Sequence, residues 1–182
     1  MPAEVLLDQA VSVAYGQIYL ESATAHMEGE MEESFRGQSN GLCGAAIPGL
    51  LFLMTGTHTG DVAFRVERHD AEPPRDEQWA ESVEASLVAV TGDVVLAEWG
   101  GGDEHPLPMP AGDYRVRYYA QGMDQADEDE PVDRYLLQLW PAAPAPDSIL
   151  QVTSAAAAYW HEWAQALPPP PVHLGAGKRG AR

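Results

Sequence analysis

The feature that most constrains this chain is a succession of short runs whose apolar residues alternate, each bounded by glycine or proline. In "YRVRYYA", Tyr114, Val116 and Tyr118 share one parity, and Arg115, Arg117 and Tyr119 the other. In "DVAFRVER", Val62, Phe64 and Val66 face one way, and Ala63, Arg65 and Glu67 the other. A period of two is the side-chain period of a β-strand, so such runs fold only as sheets. Ile47–Met54 is continuously apolar and predicts a strand buried on both sides. "VSVAYGQIYL" changes parity at Gly16–Gln17, which predicts a β-bulge. "SVEASLVAV" and "VVLAEW", joined by "TGD", predict a hairpin. "RYLLQLW" (134–140) predicts a last strand that closes the sheet. The count is about seven strands with short links, which predicts a mainly β, antiparallel β-sandwich.

The boundaries follow from punctuation. Residues 1–141 form the expected acidic sandwich domain. Residues 142–167 hold a Pro-rich connector and an amphipathic helix. Thr153 or Ser154 can cap that helix, and Ala156, Trp160, Trp163 and Leu167 make one apolar face. This face either packs on the sandwich or forms a homodimer contact. Residues 168–182 read as a disordered, Pro-rich and basic tail.

Charge narrows the function. There are 28 acids against 10 bases in 182 residues. Residues 1–177 carry seven Arg, no Lys and all the acids, a net charge of −21. Direct nucleic-acid binding needs Lys and Arg against phosphate, and an anionic membrane repels such a surface. A basic protein, or a metal ion, is what such a field attracts. A single cysteine, Cys43, forbids an internal disulfide, and "MPAEVLLDQA" lacks the basic start of a signal peptide. Both fit the cytoplasm. Cys43 in "GLCGAAIPGLLFLM" reads as small buried filler.

No catalytic constellation is legible. There is no G-x-S-x-G elbow and no phosphate-binding loop. The six histidines lack metal-ligand spacing, and "DQADEDE" lacks the EF-hand pattern. The reading is therefore non-enzymatic, with no cofactor and no metal. Two acidic runs stand out, Glu28–Glu33 and Asp124–Asp133. In the second, Asp124, Asp127, Glu128, Asp129, Glu130 and Asp133 place six carboxylates within ten residues. Alternate carboxylates on extended chain lie about 6–7 Å apart, close to the spacing of successive phosphates on a nucleic-acid strand. These six are the candidate partner-binding residues, able to fill a basic nuclease groove. The alternative is a ligand- or carbohydrate-binding sandwich, with Trp79, Trp99, Trp140 or the Tyr114–Tyr119 strand as aromatic platforms.

The order of features resembles the competence protein J family of nuclease inhibitors, also called Nin. The resemblance covers roughly residues 10–140. It rests on "VSVAYGQIYL", "NGLCGAA", "TGDVAFRVE", the strand–turn–strand around Gly92, "LPMPAGDYRVR" and "DRYLLQLW". The acidic loop, the "YLLQLWP" ending and the nearly Lys-free composition are similar to those of actinobacterial proteins. The connector, the tryptophan helix and the basic tail extend beyond the family pattern. The resemblance implies a non-catalytic sandwich that inhibits a nuclease and has no catalytic residues.

Overall fold

A computed structural model describes residues 3–22, 31–126 and 132–170. The elements run β1 (Glu4–Val13), β2 (Gln17–Ser22), α1 (Met31–Phe35), β3 (Cys43–Gly44), β4 (Leu50–Met54), β5 (Gly60–Arg68) and β6 (Glu81–Ala89). They continue with β7 (Val94–Ala97), β8 (Glu104–Pro106), β9 (Gly112–Gln121), a 3₁₀ turn (Met123–Gln125), β10 (Arg134–Pro141), β11 (Ser148–Gln151) and α2 (Ala155–Ala166). Two sheets form, one in the order β1-β5-β10-β9-β6-β11 and one in the order β3-β4-β2-β7-β8. The fold is mainly β, and its described strands number eleven rather than seven. The additional strands are short edge pieces, β3, β8 and β11, and halves of runs that the sequence presents as one.

The alternating residues form the core. Val62, Phe64 and Val66 of β5 and Tyr114, Val116 and Tyr118 of β9 face inward with Tyr135, Leu137 and Leu139 of β10. They meet Ile18, Leu20, Leu51, Leu53 and Leu96 of the second sheet. Phe64, Tyr118 and Tyr135 stack with centroids 5.7 to 6.2 Å apart. Cys43 is fully buried here, and burial pushes its thiol far above the ordinary range.

Three expectations change. The parity flip at Gly16–Gln17 is not a bulge. Tyr15 and Gly16 form a two-residue turn with φ of 57° and 67°, and the chain crosses there from the first sheet to the second. Positive φ at both central residues is the type I′ signature. The "TGD" link likewise joins β6 and β7 of different sheets, so no hairpin forms. Finally, β10 lies at the middle of its sheet and does not close an edge. It runs parallel to β5 and antiparallel to β9.

The outer face of the first sheet is also covered. Arg117 is 1% exposed yet fully partnered. Its guanidinium donates to Glu84 (2.8 Å), Glu72 (2.8 Å) and the Pro73 carbonyl (2.9 Å), and it lies over the Trp140 ring at 5.0 Å. Arg115 reaches Glu84 and the Ala145 carbonyl. The 72–76 loop and the stretch before β11 thus form a lid on β9, which is why both of its faces are buried.

The sheet continues past Pro141, because β11 pairs with β6. Ser154 caps α2 by accepting from the Ala157 amide at 3.1 Å. The helix presses Ala157, His161 and Ala164 deepest, with Ala156, Trp160, Trp163 and Leu167 flanking them. The stripe is rotated one residue from the expected face because the small residues allow close approach. Gly41 shows how close: a Cβ there would lie 1.9 Å from the Trp160 carbonyl oxygen. The face read as a homodimer contact is thus engaged within the chain.

Candidate interaction surface

The acidic segment leaves β9 at Gly122 and rejoins the sheet at β10. Gly122 takes the left-handed conformation (φ 82°), which turns the chain into the 3₁₀ turn. Asp124 follows. Its two carboxylate oxygens accept from the Ala155 and Ala156 amides, each at 2.9 Å. These are otherwise unpartnered donors of the first turn of α2, at the positive end of its dipole. Those two backbone bonds, Ala156 first, hold the Asp124 carboxyl below its ordinary range. The departing end of the loop is therefore tied to the C-terminal helix.

The returning end is tied more deeply. Asp133 is only 2% exposed. It accepts from the Thr57 amide at 2.8 Å, from the Thr57 hydroxyl and from the Tyr135 phenol. The Tyr135 oxygen in turn accepts from the Gly56 amide at 2.7 Å. Burial and the neighbouring Asp133 charge raise the Tyr135 phenol well above its usual range, so it stays a donor. Gly56 is required here: a Cβ would lie 2.7 Å from the Met123 carbonyl oxygen. The β4–β5 turn, the 3₁₀ turn and the start of β10 are thus packed into one unit.

The six acids expected as one row consequently divide. Asp133 faces the interior and is an anchor, which corrects its place in a solvated row. Asp124 is exposed but has both oxygens engaged. Asp127, Glu128, Asp129 and Glu130 lie outside the described residues, as do Glu28 and Glu30 of the first acidic run. The anchor carried a sequence signal that composition conceals. Asp133 has the same parity as Tyr135, Leu137 and Leu139, the inward face of β10.

The scarce bases also divide. Arg65, Arg68, Arg115 and Arg117 each pair with carboxylates on the first sheet or the loop covering it: Asp8 and Glu67, Glu4, Glu84, and Glu72 with Glu84. Most of the body's positive charge is therefore neutralised locally. Exposed acids such as Asp61, Asp93, Asp103 and Asp113 help to set the sign of the surface.

The aromatic platforms of the carbohydrate alternative are mostly occupied. Trp140 is 4% exposed, Tyr114, Tyr118 and Tyr119 are buried, and Trp79 carries Arg134 over its ring at 5.2 Å. Two shallow depressions border the 36–46 segment, one against β6 and residues 145–147 and the other against the end of α2, and the carboxylate in both is Asp147. One of its oxygens accepts four bonds, from the Ser39 and Asn40 amides and side chains. Among the described residues no group of three or more His, Cys, Asp and Glu side chains could hold a metal ion. Among them, too, no helix is long and apolar enough to cross a membrane.

No family model matches this chain, and no curated protein does. Two solved structures share its fold. One is ComJ from Bacillus subtilis, described as an inhibitor of the DNA-degrading activity of NucA. It superposes with a TM-score of 0.55 at 14% identity, over 78% of this chain and 100% of ComJ. The other is crocagin biosynthetic protein J, with a TM-score of 0.54 at 17% identity, over 79% of this chain and 100% of that one.

Proposed function

We propose that this chain is a non-catalytic protein that binds and inhibits a basic nuclease in the cytoplasm. The observation that carries the reading is the shared fold over the whole length of ComJ, a nuclease inhibitor. The formal charge of −18 supports it, because a nuclease groove built for phosphate is positive. In this reading Asp127, Glu128, Asp129 and Glu130 meet the groove, with Asp124 beside them. Asp133 holds the segment in place from beneath. A loop tied at both ends loses less freedom on binding than a free one, so more of its contact energy appears as affinity.

The test is a DNA-degradation assay. The purified protein is titrated into NucA and into the nucleases of its own host, at low and at high salt. Inhibition that approaches completion at equimolar protein and weakens with salt is expected. Full nuclease activity throughout the panel, with the protein in tenfold excess, would refute the reading.

A further inference from the structure

Across the turn that holds Asp133, an aromatic pair stands in solvent. Tyr15 is 58% exposed and Trp99 43%. Their rings meet edge to face, with centroids 4.6 Å apart at 61°. On its other side Tyr15 meets His58 at 5.3 Å. His58 follows Thr57, the residue that holds Asp133, and its carbonyl accepts from the Gly16 amide at 2.9 Å. The aromatic pair and the anchored end of the acidic loop are therefore two sides of one turn.

Neither ring is there by default. Tyr15 is the only non-glycine residue with positive φ among those described, and a bulky side chain is costly in that region. Asn or Gly would satisfy the turn without that strain. Strain held at an exposed position is a mark of function. Trp99 sits on a loop fixed from below by Glu98. One Glu98 oxygen accepts from the Ser12 amide (3.0 Å) and meets His105 Nε2 (3.1 Å), and the other accepts from the Asp103 amide (3.2 Å). Burial alone would raise Glu98, yet these bonds hold it below its ordinary range. Trp99 is thus presented on a built support.

The chain shows what such a face can take. Arg117 lies over Trp140 and Arg134 over Trp79. Among the described residues, no cation lies over Trp99. Carboxylates lie near it: Asp103 follows in the same loop, Glu104 opens β8, and Asp61 lies opposite Ser12, whose amide donates to Glu98. An aromatic face with carboxylates nearby favours a guanidinium or ammonium group.

We infer that Tyr15 and Trp99 form an anchor that receives an arginine or lysine side chain of the protein partner, beside the turn that holds Asp133. This rests on the nuclease-binding reading and adds to it a fixed, aromatic contact. Aromatic anchors of this kind usually dominate the energetics of an interface.

The first arm of the test needs no nuclease, and the second repeats the inhibition assay with the same variants. Binding of a fluorescently labelled hexa-arginine peptide is followed by anisotropy for the wild type and for Tyr15→Asn, Trp99→Ala and the double variant. Asn tolerates the left-handed turn, so Tyr15→Asn keeps the fold, and circular dichroism confirms it for each protein. Each single change should weaken binding about 2- to 5-fold, and the double change more. A folded double variant that binds the peptide as tightly as the wild type would overturn the anchor. So would a nuclease inhibited equally by the wild type and the double variant, and the proposed function would then stand without it. If peptide binding depends on the two rings but no nuclease is inhibited, the anchor holds and the nuclease reading falls.

Discussion

Asp133→Ala should be among the most damaging single changes to the acidic segment, although it removes one acid from a chain with 28. The wild-type carboxylate is 2% exposed and accepts from the Thr57 amide, the Thr57 hydroxyl and the Tyr135 phenol. Alanine leaves all three donors buried without that acceptor. Each unsatisfied group costs about 1–3 kcal/mol. Removing the carboxylate also removes its own desolvation cost, so the net loss is near the low end, about 3 kcal/mol. For a domain of this size that lowers the melting temperature by about 6–12 °C. Urea unfolding followed by tryptophan fluorescence measures the loss. A cycle with Thr57→Ala isolates the shared part, which should exceed about 1 kcal/mol because the two residues are in contact. A loss below about 1 kcal/mol for Asp133→Ala would refute the inward, anchoring role.

Three further outcomes are expected. Converting Asp127, Glu128, Asp129 and Glu130 to their amides should change stability by no more than about 0.5 kcal/mol, the usual range for surface changes. The same variant should associate more slowly with the nuclease and lose most of its salt dependence, which stopped-flow mixing would show. Acidification should release Asp124 from α2. Its folded pKa is depressed, so the contact stabilises above the unfolded carboxyl pKa and is lost as pH falls through the folded value. Hydrogen exchange at the Ala155 and Ala156 amides should therefore accelerate in acid, and Asp124→Asn should flatten that pH dependence. Gly41→Ala should displace α2, since the new methyl would meet the Trp160 carbonyl at 1.9 Å. Over-packing of this kind costs about 1–3 kcal/mol, readable as a lower urea midpoint.

Local periodicity carried most of the strand positions. Tyr114–Ala120 and Val62–Val66 can be read directly, because a period of two is a property of the run itself. What it did not carry is which strand lies next to which. A parity change at Gly16 looks the same for a bulge and for a turn between sheets, since both reverse the inward side chains. The left-handed Tyr15 that decides between them has no signature in composition. The position of β10 depends on β5, some seventy residues earlier, and no local pattern encodes that parallel pairing. The acidic segment was legible as charge but not as architecture. Asp133 looked like its neighbours until Thr57 and Tyr135 were placed around it, and Asp124 until α2 arrived beneath it. Exposed Trp99 and buried Trp140 were offered alike as aromatic platforms for the same reason: aromatic identity does not reveal which rings the fold leaves outside.

The placement of β10 also bears on how the protein is made. Until residues 134–141 emerge from the ribosome, β1–β5 and β6–β9 are two separate ribbons. Each then has an open edge where β10 will insert. Exposed edges invite pairing with other chains, and a fold that waits for distant partners closes slowly. The core can be completed only after most of the chain has been synthesised. A nascent chain arrested before Asp133 would lack both the strand that joins the ribbons and the aspartate that ties the acidic loop. The protein should therefore gain its stability and its binding surface in the same late event.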